Sequence, residues 1–142
     1  MALAVAEGAK QVKGMKVAVK KVDQTTNEDL LDADGIIVGS PTYYGLMSGK
    51  IKMFFDGSVE IHGKLAGKVG AAFTNSGGTA SGAETTLLSI LKAMLVHGMI
   101  VQGRYDDKHY GIAAVGELNK KEIEMCKGLG KRTAELVLKV RR

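Results

Sequence analysis

Three short apolar runs constrain this chain more than any other feature: Gly35-Ile36-Ile37-Val38-Gly39, Val69–Thr74 and Met99–Gln102. Each is too short for a helix and continuous rather than alternating; the first two have the pattern of a strand buried within a sheet, and the third reads as a further apolar strand. Helical patterns separate them. Ile51, Phe54 and Phe55 mark one helix within Ser48–Ser58, and Leu87, Leu88, Ile90, Leu91, Met94 and Leu95 mark a longer one ending at His97-Gly98. Parallel neighbours need a crossover to return the chain, so the alternation predicts an α/β fold: an open parallel sheet with helices on both faces.

The remaining elements follow the same reading. Leu3, Ala6, Ala9 and Val12 predict a short amphipathic helix ending near Gly14. Met15-Lys16-Val17-Ala18-Val19-Lys20 alternates and predicts an edge strand with one wet face. Asn27–Asp32 predicts a brief helix and Ile112–Val115 a further short strand. A final helix starts at Asn119 or Lys120, with Ile123, Cys126, Leu129, Thr133, Leu136 and Val140 on its buried stripe. No linker or repeat divides the 142 residues, which are expected to form one domain over 1–142.

Charge excludes some functions. The net charge of +5 resides in Lys120–Arg142, with 8 basic and 3 acidic side chains, while residues 1–119 carry 12 of each. A basic outer face on a terminal helix, without interleaved aromatics, gives no support for a nucleic-acid partner. No apolar stretch reaches the ~20 residues of a membrane helix. Lone Cys126 cannot form an intrachain disulfide, in keeping with a reducing cytoplasm. His62, His97 and His109 lack ligand-spaced partners, so no metal site is expected.

Two segments carry the chemistry. Ser40-Pro41-Thr42-Tyr43-Tyr44-Gly45 leaves one apolar run with the chain's only proline, and Asn75-Ser76-Gly77-Gly78-Thr79-Ala80-Ser81-Gly82 leaves another. Both should lie at the carboxyl edge of the sheet, where open α/β sheets bind ligands. Pro41 turns the chain out of the sheet, and the tyrosine pair offers flat faces for a planar ring. The second segment exceeds the ~4–6 residues of a plain connection, and its glycines let backbone N–H groups approach a ligand. A helix cap at Ser81, closed by Glu84, is compatible with that role. Gly45–Lys50 looks like a phosphate loop, but its glycine spacing is one residue short and Ile51 replaces the metal-binding hydroxyl.

Gly39-Ser40-Pro41-Thr42-Tyr43-Tyr44-Gly45-Leu46-Met47-Ser48-Gly49, with Phe54-Phe55-Asp56, resembles the second flavin loop and following helix of flavodoxin-like proteins. Phe73–Gly78 through Glu84-Thr85-Thr86, then His97-Gly98-Met99, is similar to the third loop and next strand of one branch: the tryptophan-repressor-binding-protein type of NAD(P)H:quinone oxidoreductase. The resemblance implies a flavodoxin-like sheet with FMN as cofactor, and NAD(P)H and quinone-like molecules as partners. It also implies a homo-oligomer.

Carried over, Thr42, Tyr43 and Tyr44 would flank the isoalloxazine ring, with Ser40, Pro41 and Gly45 in the same cofactor-binding loop, and Asn75, Ser76, Gly77, Gly78 and Thr79 would contact the ring edge and ribityl chain through main-chain groups. His97 matches a histidine that touches the flavin, from its own or a neighbouring subunit. Read from the residues alone, it is equally a helix C-terminal residue facing the dipole. No side chain is implied as a catalytic nucleophile, because the cofactor carries the chemistry.

Two departures bear on function. The family opens with a central strand and a phosphate-binding loop, whereas this sequence opens in the helix that follows them. That strand would lie between Met15–Lys20 and Gly35–Gly39. Charge-assisted bonds to phosphate contribute about 1.5–3 kcal/mol each, so their loss would weaken FMN binding. Gly57–Lys64 also lacks the tryptophan with which the branch covers its substrate. A flavodoxin-type electron carrier, and a domain that binds no flavin, are therefore alternative expectations.

Overall fold

The computed structural model describes residues 1–141. Four parallel strands form one sheet: β1 (Gly35–Pro41), β2 (Val69–Ser76), β3 (Ile100–Val101) and β4 (Ile112–Val115). β1 pairs with β2 from Gly35↔Val69 to Pro41↔Asn75. The other edge of β2 is shared, with β3 on Val69–Gly70 and β4 on Phe73–Ser76. The fold is the open parallel sheet with helices on both faces expected from the alternation.

The helices cover both faces. α1 (Ala2–Lys10) and α5 (Lys120–Val140) pack together on one side, with Val5, Ala71, Ile112, Cys126 and Leu129 as the shared core. Their backbones touch: a Cβ on Gly8 would lie 1.9 Å from the Lys127 carbonyl oxygen, and one on Gly130 would lie 1.8 Å from that of Val5. α2 (Asn27–Asp32), α3 (Gly49–Gly57) and α4 (Ala83–Val96) cover the other side. Alternation along β2 sends Ala71 to the first core and Ala72 to the second, where Leu87, Ile90, Leu91 and Met94 of α4 are buried. Full burial of each of those side chains contributes about 1.5–3 kcal/mol.

Helix ends follow local chemistry. Thr26 and Asn119 each close a reciprocal capping box, with Asp29 and Glu122. Four expectations need correction. Ser81 does not cap α4: the cap position is Gly82, with a φ of 92°, and Ser81 bonds instead to the Gly78 carbonyl. β2 runs on through Asn75 and Ser76, which shortens the loop behind it. The stripe of α5 turns onto Ala134 and Val137 in its second half, so Val140 is exposed.

The fourth correction concerns the sheet edge. Met15–Lys20 forms no strand, and residues 16–20 make no backbone hydrogen bond among the described residues. β1 is correspondingly only half-buried from Gly35 to Gly39, rather than buried as its apolar run predicts. A cleft of about 1280 Å³ separates the two segments.

Candidate functional site

The two loops after β1 and β2 meet. A Cβ on Gly82 would lie 2.6 Å from the Cα of Gly45, so the loops touch backbone to backbone at a point where both residues need positive φ (74° at Gly45 and 92° at Gly82). Buried polar groups hold the strand ends beneath them. The Thr74 hydroxyl donates to the Ser40 carbonyl at 2.7 Å and so must accept from the Thr42 hydroxyl, 2.9 Å away. The Thr42 amide donates to the Asn75 carbonyl at 2.8 Å. Ser40 Oγ accepts the Ser48 amide at 2.8 Å, and Ser89 Oγ accepts that of Met47 at 3.0 Å.

Above this anchor, Tyr43 and Leu46 exchange both backbone bonds around Tyr44 and Gly45, each with positive φ. Two consecutive positive φ values are what a type I′ turn requires. The φ of 50° at Tyr44 is uncommon for a bulky side chain, and the turn holds that ring wholly in solvent. Tyr43 is 60% exposed beside it. Two flat apolar faces standing in water at a rigid turn are suited to stacking on a planar group.

The second loop supplies donors. Among the described residues, the backbone N–H groups of Gly77, Gly78, Thr79, Ala80, Ser81 and Gly82 donate to no protein group, and neither do those of Tyr44 and Gly45. A Cβ at Gly77 or Gly78 would meet nothing within 4 Å, so the space over them is open. Asn75 donates through Nδ2 to the Gly116 carbonyl at 2.8 Å, leaving its buried Oδ1 without a partner. α4 begins directly behind this loop and favours electron-rich atoms there. Unpaired donors, an orphaned acceptor and open glycines beside two tyrosines fit the ring and ribityl portion of a flavin.

The expected residues divide into those that face this space and those that support it. Thr42, Tyr43, Tyr44, Gly45, Asn75, Gly77, Gly78 and Thr79 come together at the carboxyl edge; Pro41 does not turn the chain out of the sheet as expected, because it is still the last residue of β1, paired with Asn75, and the turn comes at Tyr43–Leu46. Ser40 and Ser76 are each 5% exposed, with hydroxyls engaged inside the protein. The amides of Ala80–Gly82 extend the loop as expected, while Thr74 and the Gly116 carbonyl belong to the same arrangement and were missed. Thr74 carries a signal, a hydroxyl at the end of an apolar run, but Gly116 contributes only backbone and carries none.

His97 lies elsewhere. It follows the far end of α4, about 21 Å from the loops at 1.5 Å per residue. Its ring is 6% exposed and packs near His62 and Phe55. The Ser58 hydroxyl donates to the Phe55 carbonyl, so His97 Nε2–H must donate to Ser58 Oγ, 2.8 Å away. Nδ1 is then a buried, unpartnered acceptor. Burial first, and the nearby His62 second, hold the imidazole below its ordinary pKa and so neutral.

Comparison with known proteins identifies the family. Residues 6–106 match the family described as NADPH-dependent FMN reductase. A flavodoxin of Aquifex aeolicus is 43% identical over 145 residues, covering 96% of this chain and 78% of that protein. An NAD(P)H dehydrogenase (quinone) of Archaeoglobus fulgidus is 36% identical over 174 residues, covering 99% and 91%. The crystal structure of a WrbA-like flavodoxin from Agrobacterium tumefaciens superposes with a TM-score of 0.79 at 27% identity, covering 96% of this chain and 87% of that one. On the family match over residues 6–106 and relatives of these kinds, the chain belongs to the flavodoxin-like NADPH-dependent FMN reductase family, whose cofactor is FMN.

Proposed function

We propose that this chain binds FMN at the meeting of its two loops and reduces quinones with NAD(P)H. The observation that carries the reading is the contact of Gly45 with Gly82, which brings two exposed tyrosines and a row of unpaired amides to one place. Tyr43 and Tyr44 flank the ring, and Thr42 and Asn75 meet its edge. Gly77, Gly78 and Thr79 supply N–H groups to the electron-rich ring atoms and the ribityl hydroxyls.

When bound, FMN supplies the capacity to accept a hydride and pass on two electrons. The net reaction is NAD(P)H, a proton and quinone giving NAD(P)⁺ and hydroquinone. The protein's contribution is to bind and orient: the type I′ turn fixes the stacking faces, and the Thr74 anchor fixes the spacing of the loops. No side chain near the loops needs to act as nucleophile or general base. A homo-oligomer and a reducing cytoplasm complete the reading. His97 would require a neighbouring subunit to approach a flavin, and single, buried Cys126 suits reducing conditions.

The test is direct. Purified protein is titrated with FMN by quenching of flavin fluorescence, then assayed with NADPH and benzoquinone. Saturable binding with turnover above that of free FMN supports the proposal, and turnover equal to free FMN refutes it. An electron carrier is the second reading, favoured by the likeness to the Aquifex flavodoxin. Tight FMN binding without NADPH-dependent turnover would select it. Failure to bind FMN would leave the non-binding domain.

A further inference from the structure

We propose that His62 and His97 form a two-imidazole site for one first-row transition-metal ion of the class Cu²⁺, Ni²⁺ or Zn²⁺. The two rings come from segments that β2 and α4 separate in the chain. His62 closes the short helical turn Ser58–Ile61, and His97 follows the end of α4. Sequence spacing gives no sign of the pair, because only the packing of that turn against the end of α4 brings the rings together.

His97 is already arranged as a ligand. Its Nε2–H is committed to Ser58 Oγ at 2.8 Å, and the Ser58 hydroxyl is committed in turn to the Phe55 carbonyl at 2.7 Å. That chain fixes the tautomer with the lone pair on Nδ1, the atom left buried and without a partner. Metal-bound histidines are held in this way: the nitrogen away from the metal donates to an oxygen, which sets the tautomer and aims the other nitrogen. Burial, and after it the nearby His62, keep the imidazole neutral, which is the form that binds metal.

The rings stand at a separation that a shared ion requires. Their centroids are 5.9 Å apart, with the planes at 43°. A metal–nitrogen bond of ~2.0–2.1 Å puts each centroid about 3.2 Å from the ion, so two imidazoles on it have centroids about 5.2 Å apart at a tetrahedral angle and about 6.4 Å when collinear. The observed distance lies between these limits. His97 Nδ1 is covered, but His62 is exposed and precedes the turn at Gly63, where φ is 81°, so its ring is free to move aside and admit an ion. Among the described residues no further His, Cys, Asp or Glu completes a group of three. Water fills the remaining positions, and the ions that imidazole holds best are favoured, Cu²⁺ most of all. The inference does not depend on the flavin reading, since His97 lies about 21 Å from the two loops.

The experiment uses no flavin, so its failure and that of the proposed function are separable. The chain is titrated with Cu²⁺ against glycine as a competing ligand, and the complex is examined by electron paramagnetic resonance. One ion per chain, nitrogen hyperfine coupling from imidazole, and a urea midpoint that rises with added metal are expected, because the ion binds the folded chain in preference to the unfolded one. His62→Gln and His97→Gln should each weaken binding at least tenfold. Ser58→Ala, which removes the oxygen that orients His97, should weaken it about tenfold. His109→Gln, at the histidine outside the pair, should leave it unchanged. His62→Gln alters an exposed side chain, so the test holds even where His97→Gln fails to fold. Absence of stoichiometric binding would overturn the proposal, as would binding that survives His62→Gln intact or is lost in His109→Gln.

Discussion

Replacing Gly82 with alanine should damage both stability and FMN binding, for a reason confined to one contact. Gly82 has a φ of 92°, and its Cβ would stand 2.6 Å from Gly45 Cα and 3.2 Å from Gly45 N. The left-handed backbone costs an L-residue about 1–2 kcal/mol. Relieving an overpacked contact costs typically about 1–3 kcal/mol more, and here both colliding groups are backbone. The sum is about 2–5 kcal/mol, which at a urea slope of ~2 kcal/mol per M lowers the unfolding midpoint by about 1–2.5 M. Because relief drives the two loops apart, FMN affinity should fall at least tenfold.

Gly77→Ala is the matched control. Its Cβ meets nothing within 4 Å and the residue lacks a left-handed φ, so the urea midpoint should move by less than about 0.5 M. The open face over Gly77 is where a ligand would lie, so FMN affinity should still fall. Circular dichroism in urea and flavin-fluorescence titration measure the two quantities. An unchanged midpoint and unchanged affinity in Gly82→Ala would refute the reasoning that this contact joins the loops.

Other outcomes follow from the same structure. Gly8→Ala and Gly130→Ala should each destabilise by about 1–3 kcal/mol or more in urea unfolding, because each new methyl enters the facing helix backbone. Thr74→Val keeps the shape but leaves the Ser40 carbonyl and Thr42 hydroxyl without their buried partner, so a loss of about 1–3 kcal/mol and weaker FMN binding are expected. His97 should make the protein acid-sensitive. Its folded pKa lies below the ordinary 6.5, so the unfolded chain binds the proton first, and stability is full above that value and lost as pH falls through it toward the folded pKa. Urea midpoints measured from pH 7.5 to 5.5 should fall, and His97→Gln should flatten that dependence.

Most elements, their sequence along the chain and the two loops could be read from the sequence because each depends on local pattern. The apolar run Ile36–Val38, the periodic Leu87–Leu95 and the capping boxes at Thr26 and Asn119 carry their signal within a few residues. Placing both Gly/Ser/Thr-rich loops at one sheet edge needed only the rule that parallel strands end together. The corrections came where a partner distant in sequence decides the outcome. Met15–Lys20 has the alternation of a strand, but alternation cannot supply the neighbour whose hydrogen bonds make one. Ser81 and Glu84 have capping-box spacing, yet packing against Gly45 places the cap at Gly82 instead.

Residue chemistry and period determined by themselves that this chain folds as a parallel α/β sheet with two polar loops at its carboxyl edge. Hydrophobic burial and backbone pairing act on spacings of two and three to four residues, so that much is written locally. Only the tertiary structure decided that Gly45 and Gly82 bring those loops into contact, that Thr74 ties the strand ends together, and that His97 is buried about 21 Å away on Ser58. It also decided that Met15–Lys20, lining one cleft with β1, joins no strand among the described residues. These are contacts between segments separated by tens of residues, set by how helices and strands pack, and no window of sequence contains both partners.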